Sequence, residues 1–240
     1  SGFIGSHFCD VLFKKKILTK VFDIKKSKYL NPGQKMIVGN IRNSRDLDRA
    51  LKSSDYVVNF AGFSDLDKSK NDPLGTAEQN IIGTIKVLLA CKKHKVKKYI
   101  HASSIYANSE EGNFYAASKK AAEDYIERFC KTYDIKFSIL RFGSLYGPRA
   151  QKNNGINMII DKIIKEKKIQ YYGSSLAQRK YIHVYDAVES CFKIMKSRKN
   201  QYFLNITGKK TVKIKALLKK LAKFFSIKKI EFKNQRVSGH

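Results

Sequence analysis

Nothing in this chain of 240 residues approaches the ~20 consecutive apolar residues that a helix needs to cross a bilayer. No secretory signal is visible either, so the expected location is the cytoplasm. Cysteine is scarce. Cys9, Cys91, Cys130 and Cys191 stand far apart with no metal-binding spacing, and they read as reduced, mostly buried thiols. No metal is expected. Internal repeats and low-complexity linkers are missing too. Acidic residues are few: 20 Asp and Glu against 49 Lys and Arg, for a net charge of +29. Such an excess invites a nucleic-acid reading. The kind of basic residue argues against it, because 40 are Lys and 9 are Arg. Base and phosphate recognition favours the planar fork of Arg. The lysines are also spread over nearly every expected helix, and abundant Ile, Asn and Tyr suggest AT-rich codons. No specific nucleic-acid binding is expected. Anionic small ligands should be attracted, less so at high salt.

What is present is an ordinary globular composition, 42% hydrophobic, with length for one sizeable core or two small lobes. Strand and helix patterns alternate. Short apolar strands are expected at Thr19–Asp23, Met36–Gly39, Asp55–Phe60, Val96–His101 and Ile135–Leu140. Between them run helical patterns, one capped by Ser44, a long one after Asp72-Pro73, and one from Phe114 to about Lys131. This rhythm predicts an α/β fold, a doubly wound parallel sheet with helices on both faces and a ligand site at the strand C-termini. After Gly147-Pro148 the character changes. Residues 1–149 are expected to form a first domain. Residues 150–240 should form a smaller lobe, with some elements packing back on the first. The basic amphipathic stretch Val212–Phe225 reads as a solvated helix covering that lobe rather than a membrane-surface helix.

Three residues carry the chemistry. Tyr115 and Lys119 are one helical turn apart and share a helix face. An ammonium so close should favour the phenolate and lower the phenol's proton affinity. Ser104, at a strand end, could hydrogen-bond the same substrate oxygen, which makes a proton relay for a carbinol carbon. Ser103 is a fallback, because strand ends are uncertain by a residue. At the front of the chain, Gly2, Phe3, Ile4 and Gly5 run straight into an apolar helical face. They look like the end of a glycine-rich turn that brings backbone amides to a pyrophosphate. Asp23 closes the next strand about twenty residues on, where a carboxylate suits a ribose diol and favours NAD over NADP. Lys25 and Lys26 could still tolerate a 2′-phosphate.

With these motifs the chain resembles the extended short-chain dehydrogenase/reductase superfamily, specifically its nucleotide-sugar epimerase/dehydratase branch. Ser1-Gly2-Phe3-Ile4-Gly5-Ser6-His7 is similar to the end of that family's cofactor turn. The turn's first glycine and the strand before it are expected upstream of Ser1, and the second lobe reads as unfinished. Asn40 and Ile41 resemble the adenine-contacting stretch, with Asn40 where Asp is usual. Phe60, Ala61 and Gly62 resemble the strand end beside the cofactor, and Asn80-Ile81-Ile82-Gly83-Thr84 a helix signature. Ser104 with Tyr115-x-x-x-Lys119 resembles the catalytic set. Arg149 falls in a segment similar to one flanking nicotinamide and substrate, and Arg179 in one whose arginine meets the substrate diphosphate. The resemblance implies NAD as cofactor, a nucleotide-diphosphate sugar as substrate, a homodimer and a role in polysaccharide precursor synthesis. It implies 4-epimerisation through a keto sugar, with a reductase, a decarboxylase or a non-catalytic dinucleotide-binding scaffold as alternatives. Dehydratases of the family carry an Asp-Glu pair directly after the catalytic hydroxyl residue. Here Ile105-Tyr106 stands there, so dehydration is not expected.

Overall fold

A computed structural model describes residues 1–109, 112–200 and 202–233. Contact density divides the chain into two compact units. The first comprises Ser1–Phe142 and Val188–Ile206, the second Gly143–Ala187 and Thr207–His240. The first boundary therefore falls seven residues before the expected one, and a segment returns to the first unit. The physical reason is strand β10 (Phe203–Ile206), which hydrogen-bonds in parallel along β5 (Lys136–Phe142). β10 has no counterpart in the sequence reading. Four residues without clear alternation gave no periodic signal.

The first unit is an α/β assembly of parallel strands. β3 (Tyr56–Asn59), β4 (Lys98–Ser104), β5 and β10 form one four-stranded sheet in the order β10-β5-β4-β3. β1 (Lys20–Asp23) and β2 (Lys35–Val38) form a separate parallel pair. β4 is flanked on both sides, and six of its seven residues are buried, as expected for an inner parallel strand. Its first residue is a lysine. Lys98 Nζ donates to the carbonyls of Ile194 at 2.7 Å and Ser197 at 3.1 Å, at the end of α8 (Val184–Lys196). A cation is favourable at a helix C-terminus, which is how this buried ammonium is accommodated.

The helices follow their capping residues. Asn43, not Ser44, caps α2 (Ser44–Leu51), its side chain accepting from the backbone of Arg45 and Asp46. Asp65 caps α3 (Leu66–Asn71). The long helix expected after Asp72-Pro73 is composite. Asp72 caps α4 (Pro73–Ala77), a π-helical turn spans Glu78–Ile82, and α5 (Gly83–Lys93) follows. Such turns are rare and often sit at functional sites. α1 (Phe3–Lys14) opens the chain. α6 (Asn113–Thr132) is the longest helix. Its buried residues are Tyr115, Ala116, Ser118, Lys119, Ala122, Glu123, Ile126 and Cys130, a stripe at spacings of one, three and four. Leu47, Leu88, Tyr99, Ile126, Phe137 and Ile139 anchor the core of this unit. Cutting any of the aliphatic ones to Ala should cost about 2–5 kcal/mol.

The second unit is built from three small pairings: β6 (Ser144–Tyr146) with β9 (Tyr181–His183), β7 (Ile169–Tyr172) with β12 (Ile230–Lys233), and β8 (Gln178–Arg179) with β11 (Val212–Lys213). α7 (Gly155–Glu166) and α9 (Ile214–Phe224) accompany them. Ile163, Ile169, Ile214, Leu218 and Ala222 form its core, so α9 does cover this unit with its apolar face.

Candidate active site

β4 carries its strand character through to Ser104, three residues beyond the expected end. That extension delivers two serines to α6, and the structure separates their roles. The Ser104 hydroxyl accepts from the backbone N–H of Tyr106 at 3.2 Å and lies beside the Tyr115 phenol. Ser103 Oγ instead donates to the buried carboxylate of Glu123 at 2.5 Å. A hydroxyl whose proton is committed to a buried carboxylate has none to offer a substrate oxygen. The fallback role of Ser103 as the donor in place of Ser104 is therefore withdrawn. The Ser104–Tyr115 connection includes residues 110 and 111, which lie outside the described residues.

Lys119 follows Tyr115 on α6 as the 3.6-residue repeat requires, its Nζ 5.9 Å from the centre of the Tyr115 ring. It donates to the carbonyl of Ala102 at 3.0 Å. The turn after β3 closes over it. A Cβ on Gly62 would stand 3.2 Å from Lys119 Nζ and 3.0 Å from Asn80 Oδ1, so this close approach favours glycine. Asn80, in the π-helical turn, ties the parts together. It accepts from Phe63 N at 2.6 Å and donates to Phe63 O at 3.1 Å and to Ser118 Oγ at 2.9 Å. Asn80 therefore acts as a structural hydrogen-bonder between the turn after β3 and α6.

The electrostatics correct one expectation. Burial, the largest influence, pushes the Tyr115 phenol above its ordinary 10. The Ser104 hydroxyl beside it pulls it back, and neighbouring Tyr106 adds to the rise. The chain by itself holds Tyr115 as the neutral phenol rather than the phenolate. Burial also lowers Lys119 to about 8, opposed by the charge of Glu123. In a dry site both groups are driven toward their uncharged forms, and proximity along the helix does not outweigh desolvation. His101, fully buried on β4, is held neutral by burial and by the charge of Lys119.

The front of the chain fits a dinucleotide. Gly2 is the N-cap of α1 in an extended conformation, with no side-chain cap, and a Cβ there would meet nothing within 4 Å. The amide end of the helix is thus open to an anion. Phe3, Ile4 and Gly5 make up its first turn, and Gly5 rests 3.7 Å from Phe60. Asp23, at the end of β1, accepts from the Ser1 hydroxyl at 3.0 Å and from Lys25 N at 3.2 Å. The Asp23–Ser1 contact places the acid beside the glycine turn, as a diol-binding carboxylate would require.

The remaining site residues fall as follows. Ile41 is buried in the core, so only its backbone can serve a ligand. Asn40 is engaged locally, its N–H donating to Asp46 and its Oδ1 accepting from Arg42 N. Phe60 packs edge-on against Phe8 at 5.6 Å, and Ala61 donates to Asn59 Oδ1. Arg149 and Arg179 belong to the second unit. Arg149 has a left-handed backbone, with φ of 62°, and Arg179 Nη1 donates to Gln178 O at 3.1 Å. Two residues beside the reacting groups were not singled out in the sequence: Glu123 and Arg141. The signal was available, since Glu123 follows Lys119 by one turn on the buried face of α6.

Comparison with known proteins bears on this arrangement. A family model for the NAD dependent epimerase/dehydratase family matches residues 1–206. The putative UDP-glucose 4-epimerase of Methanocaldococcus jannaschii is 27% identical over 234 residues, covering 88% of this chain and 76% of that protein. The dTDP-D-glucose 4,6-dehydratase of Dictyostelium discoideum is 28% identical over 227 residues, covering 79% of this chain and 52% of that protein. Among solved structures, the UDP-glucose 4-epimerase of Thermotoga maritima with UDP-glucose superposes with a TM-score of 0.89 at 25% identity. That match covers 98% of this chain and 84% of the other.

Proposed function

Because the chain belongs to the NAD dependent epimerase/dehydratase family, we propose that it is a nucleotide-sugar epimerase that inverts C4 through a transient keto sugar. The observation that carries this reading is Tyr115 and Lys119 one turn apart on the same buried helix face, with Ser104 at the end of β4 beside the phenol. NAD, the cofactor of this family, accepts and returns a hydride when bound.

Gly2, Phe3, Ile4 and Gly5 would hold its pyrophosphate and Asp23 a ribose diol. Asn40 and the Ile41 backbone would meet the adenine, and Phe60, Ala61 and Gly62 would line the cofactor beside Lys119. Tyr115 takes the proton of the sugar hydroxyl and later returns it to the keto oxygen. The phenol form that the chain favours is the form that performs the return step. Lys119, as an ammonium, stabilises the phenolate that must exist before the first step and that the return step regenerates. Ser104 orients the reacting oxygen, worth about 10²–10³ in rate for a positioned donor. Arg179 would grip the diphosphate with two donors, and Arg149 would meet the substrate. Ile105 and Tyr106, in place of the Asp-Glu pair of dehydratases, favour epimerisation over loss of water. The relatives named for UDP-glucose support a UDP-hexose as the first substrate to test. A homodimer, a cytoplasmic location and a place in polysaccharide precursor synthesis complete the proposal. Among the described residues no helix is long and apolar enough to cross a membrane.

The test is incubation of the protein with NAD and a panel of UDP-, GDP- and dTDP-sugars, with products read by NMR. Inversion at C4 without net NADH change is expected. Release of water, net consumption of NADH or release of carbon dioxide would replace the reading with a dehydratase, a reductase or a decarboxylase.

A further inference from the structure

Glu123 is the only carboxylate among the described residues whose side chain is completely buried. Burying an ionised carboxylate is costly unless it is paired and fully hydrogen-bonded. Here it is. One oxygen accepts from Ser103 Oγ at 2.5 Å and from Arg141 Nε at 2.9 Å, and the other accepts from Arg141 Nη2. Ser103 and Arg141 are themselves register partners across β4 and β5, so the carboxylate clamps two adjacent strand ends to one helix. The guanidinium lies on the strand side of Glu123, and Lys119 is one turn back on α6. Buried ion pairs of this kind are often no more stabilising than apolar residues of the same volume. Stability alone is therefore a weak reason for this one, and its neighbours suggest another.

We infer that Glu123 is a positioning residue for the epimerase reading, on which this inference rests: it keeps the Lys119 amine charged inside the fold and, through Ser103, fixes the end of β4 where Ser104 meets Tyr115. The other titratable groups facing Lys119 do not supply that charge. His101 on β4 is held neutral, and Tyr115 on α6 is held as a phenol. The Glu123 carboxylate opposes the burial that lowers Lys119, whereas Arg141 is spent on the carboxylate.

The experiment follows the Lys119 Cε resonance by carbon-13 NMR against pH in the whole protein, assigned by its loss in Lys119→Arg. In Glu123→Gln the midpoint should fall by about one pH unit, and the alkaline limit of kcat should move down with it while KM for the sugar stays near its parent value. Ser103→Ala keeps the charge, so it should lower kcat several-fold and leave the Lys119 midpoint in place. If Glu123→Gln fails to fold because Arg141 is left uncompensated, Glu123→Gln/Arg141→Met removes both charges, and a smaller fall of the same sign is expected, because the cation that would also disfavour the ammonium is gone. An unchanged midpoint in either folded variant overturns the inference. The NMR readout needs no substrate. A shifted midpoint in a protein that converts no sugar would refute the epimerase reading and uphold the Glu123–Lys119 coupling, and turnover with an unshifted midpoint would do the reverse.

Discussion

Lys119→Met should yield a protein that is catalytically dead and more stable than its parent. The amine is buried, and burial lowers it from the ordinary 10.5 to about 8. Between those values the unfolded chain binds a proton that the folded chain does not. Stability from this group therefore rises with pH from about 8 to 10.5, and its full cost is present below pH 8. That gap corresponds to about 3 kcal/mol. Methionine occupies a similar volume without the charge, so the cost disappears. Against this, the Ala102 carbonyl loses the 3.0 Å bond from Lys119 Nζ, a loss of about 1 kcal/mol. The net gain at pH 7 is about 2 kcal/mol, or about 4–8 °C in Tm for a chain of this size. The assay is urea unfolding of both proteins at pH 7 and pH 10, without added NAD. The advantage of the variant should shrink toward zero at pH 10, because there the parent amine is neutral in the fold. A variant less stable than the parent at pH 7, or an advantage that does not change with pH, would refute the reasoning. The expected result is a stability–activity exchange, with a working group held where the fold would prefer none.

Three further outcomes are expected. Tyr115→Phe should lose turnover by at least about 10³-fold and Ser104→Ala by about 10²–10³-fold, while NAD binding, read by calorimetry, survives in both. Asn80→Ala removes three hydrogen bonds of a buried side chain and should cost about 2–4 kcal/mol by denaturant midpoint, with turnover falling as the Gly62 turn loosens. The net charge of +29 should make KM for a nucleotide sugar rise with added salt, and a KM indifferent to salt between 0.05 and 0.5 M (concentrations on the order of those that screen surface charge) would show that the excess lysines play no part in attraction.

Much of the architecture was legible from local pattern. Strand-helix alternation announced the parallel α/β fold, because burial on both faces leaves uniformly apolar runs such as Tyr99-Ile100 in β4. The glycine turn, the acid at Asp23 and the one-turn spacing of Tyr115 and Lys119 are all short-range features, set by helix pitch and strand length. The sequence reading failed where two neighbouring residues competed for one cap and where a distant contact reshaped a helix. Ser44 looked like a cap, but the Asn43 side chain reached the helix amides. The helix after Pro73 read as continuous, but it carries a π-helical turn whose Asn80 bonds to Phe63 and Ser118.

The sequence by itself determined which groups could meet: a phenol and an amine on one face of α6, an acid beside a glycine turn, and strand ends gathered at one edge of a parallel sheet. Tertiary structure decided their chemical state and their partners. Ser103 went to Glu123 and left Ser104 beside Tyr115, β10 returned to pair with β5, and burial reversed the sign expected for the Tyr115 phenol. Periodicity is a property of neighbours along the chain. Desolvation depends on what packs around a group from distant segments, and a linear pattern carries no measure of it.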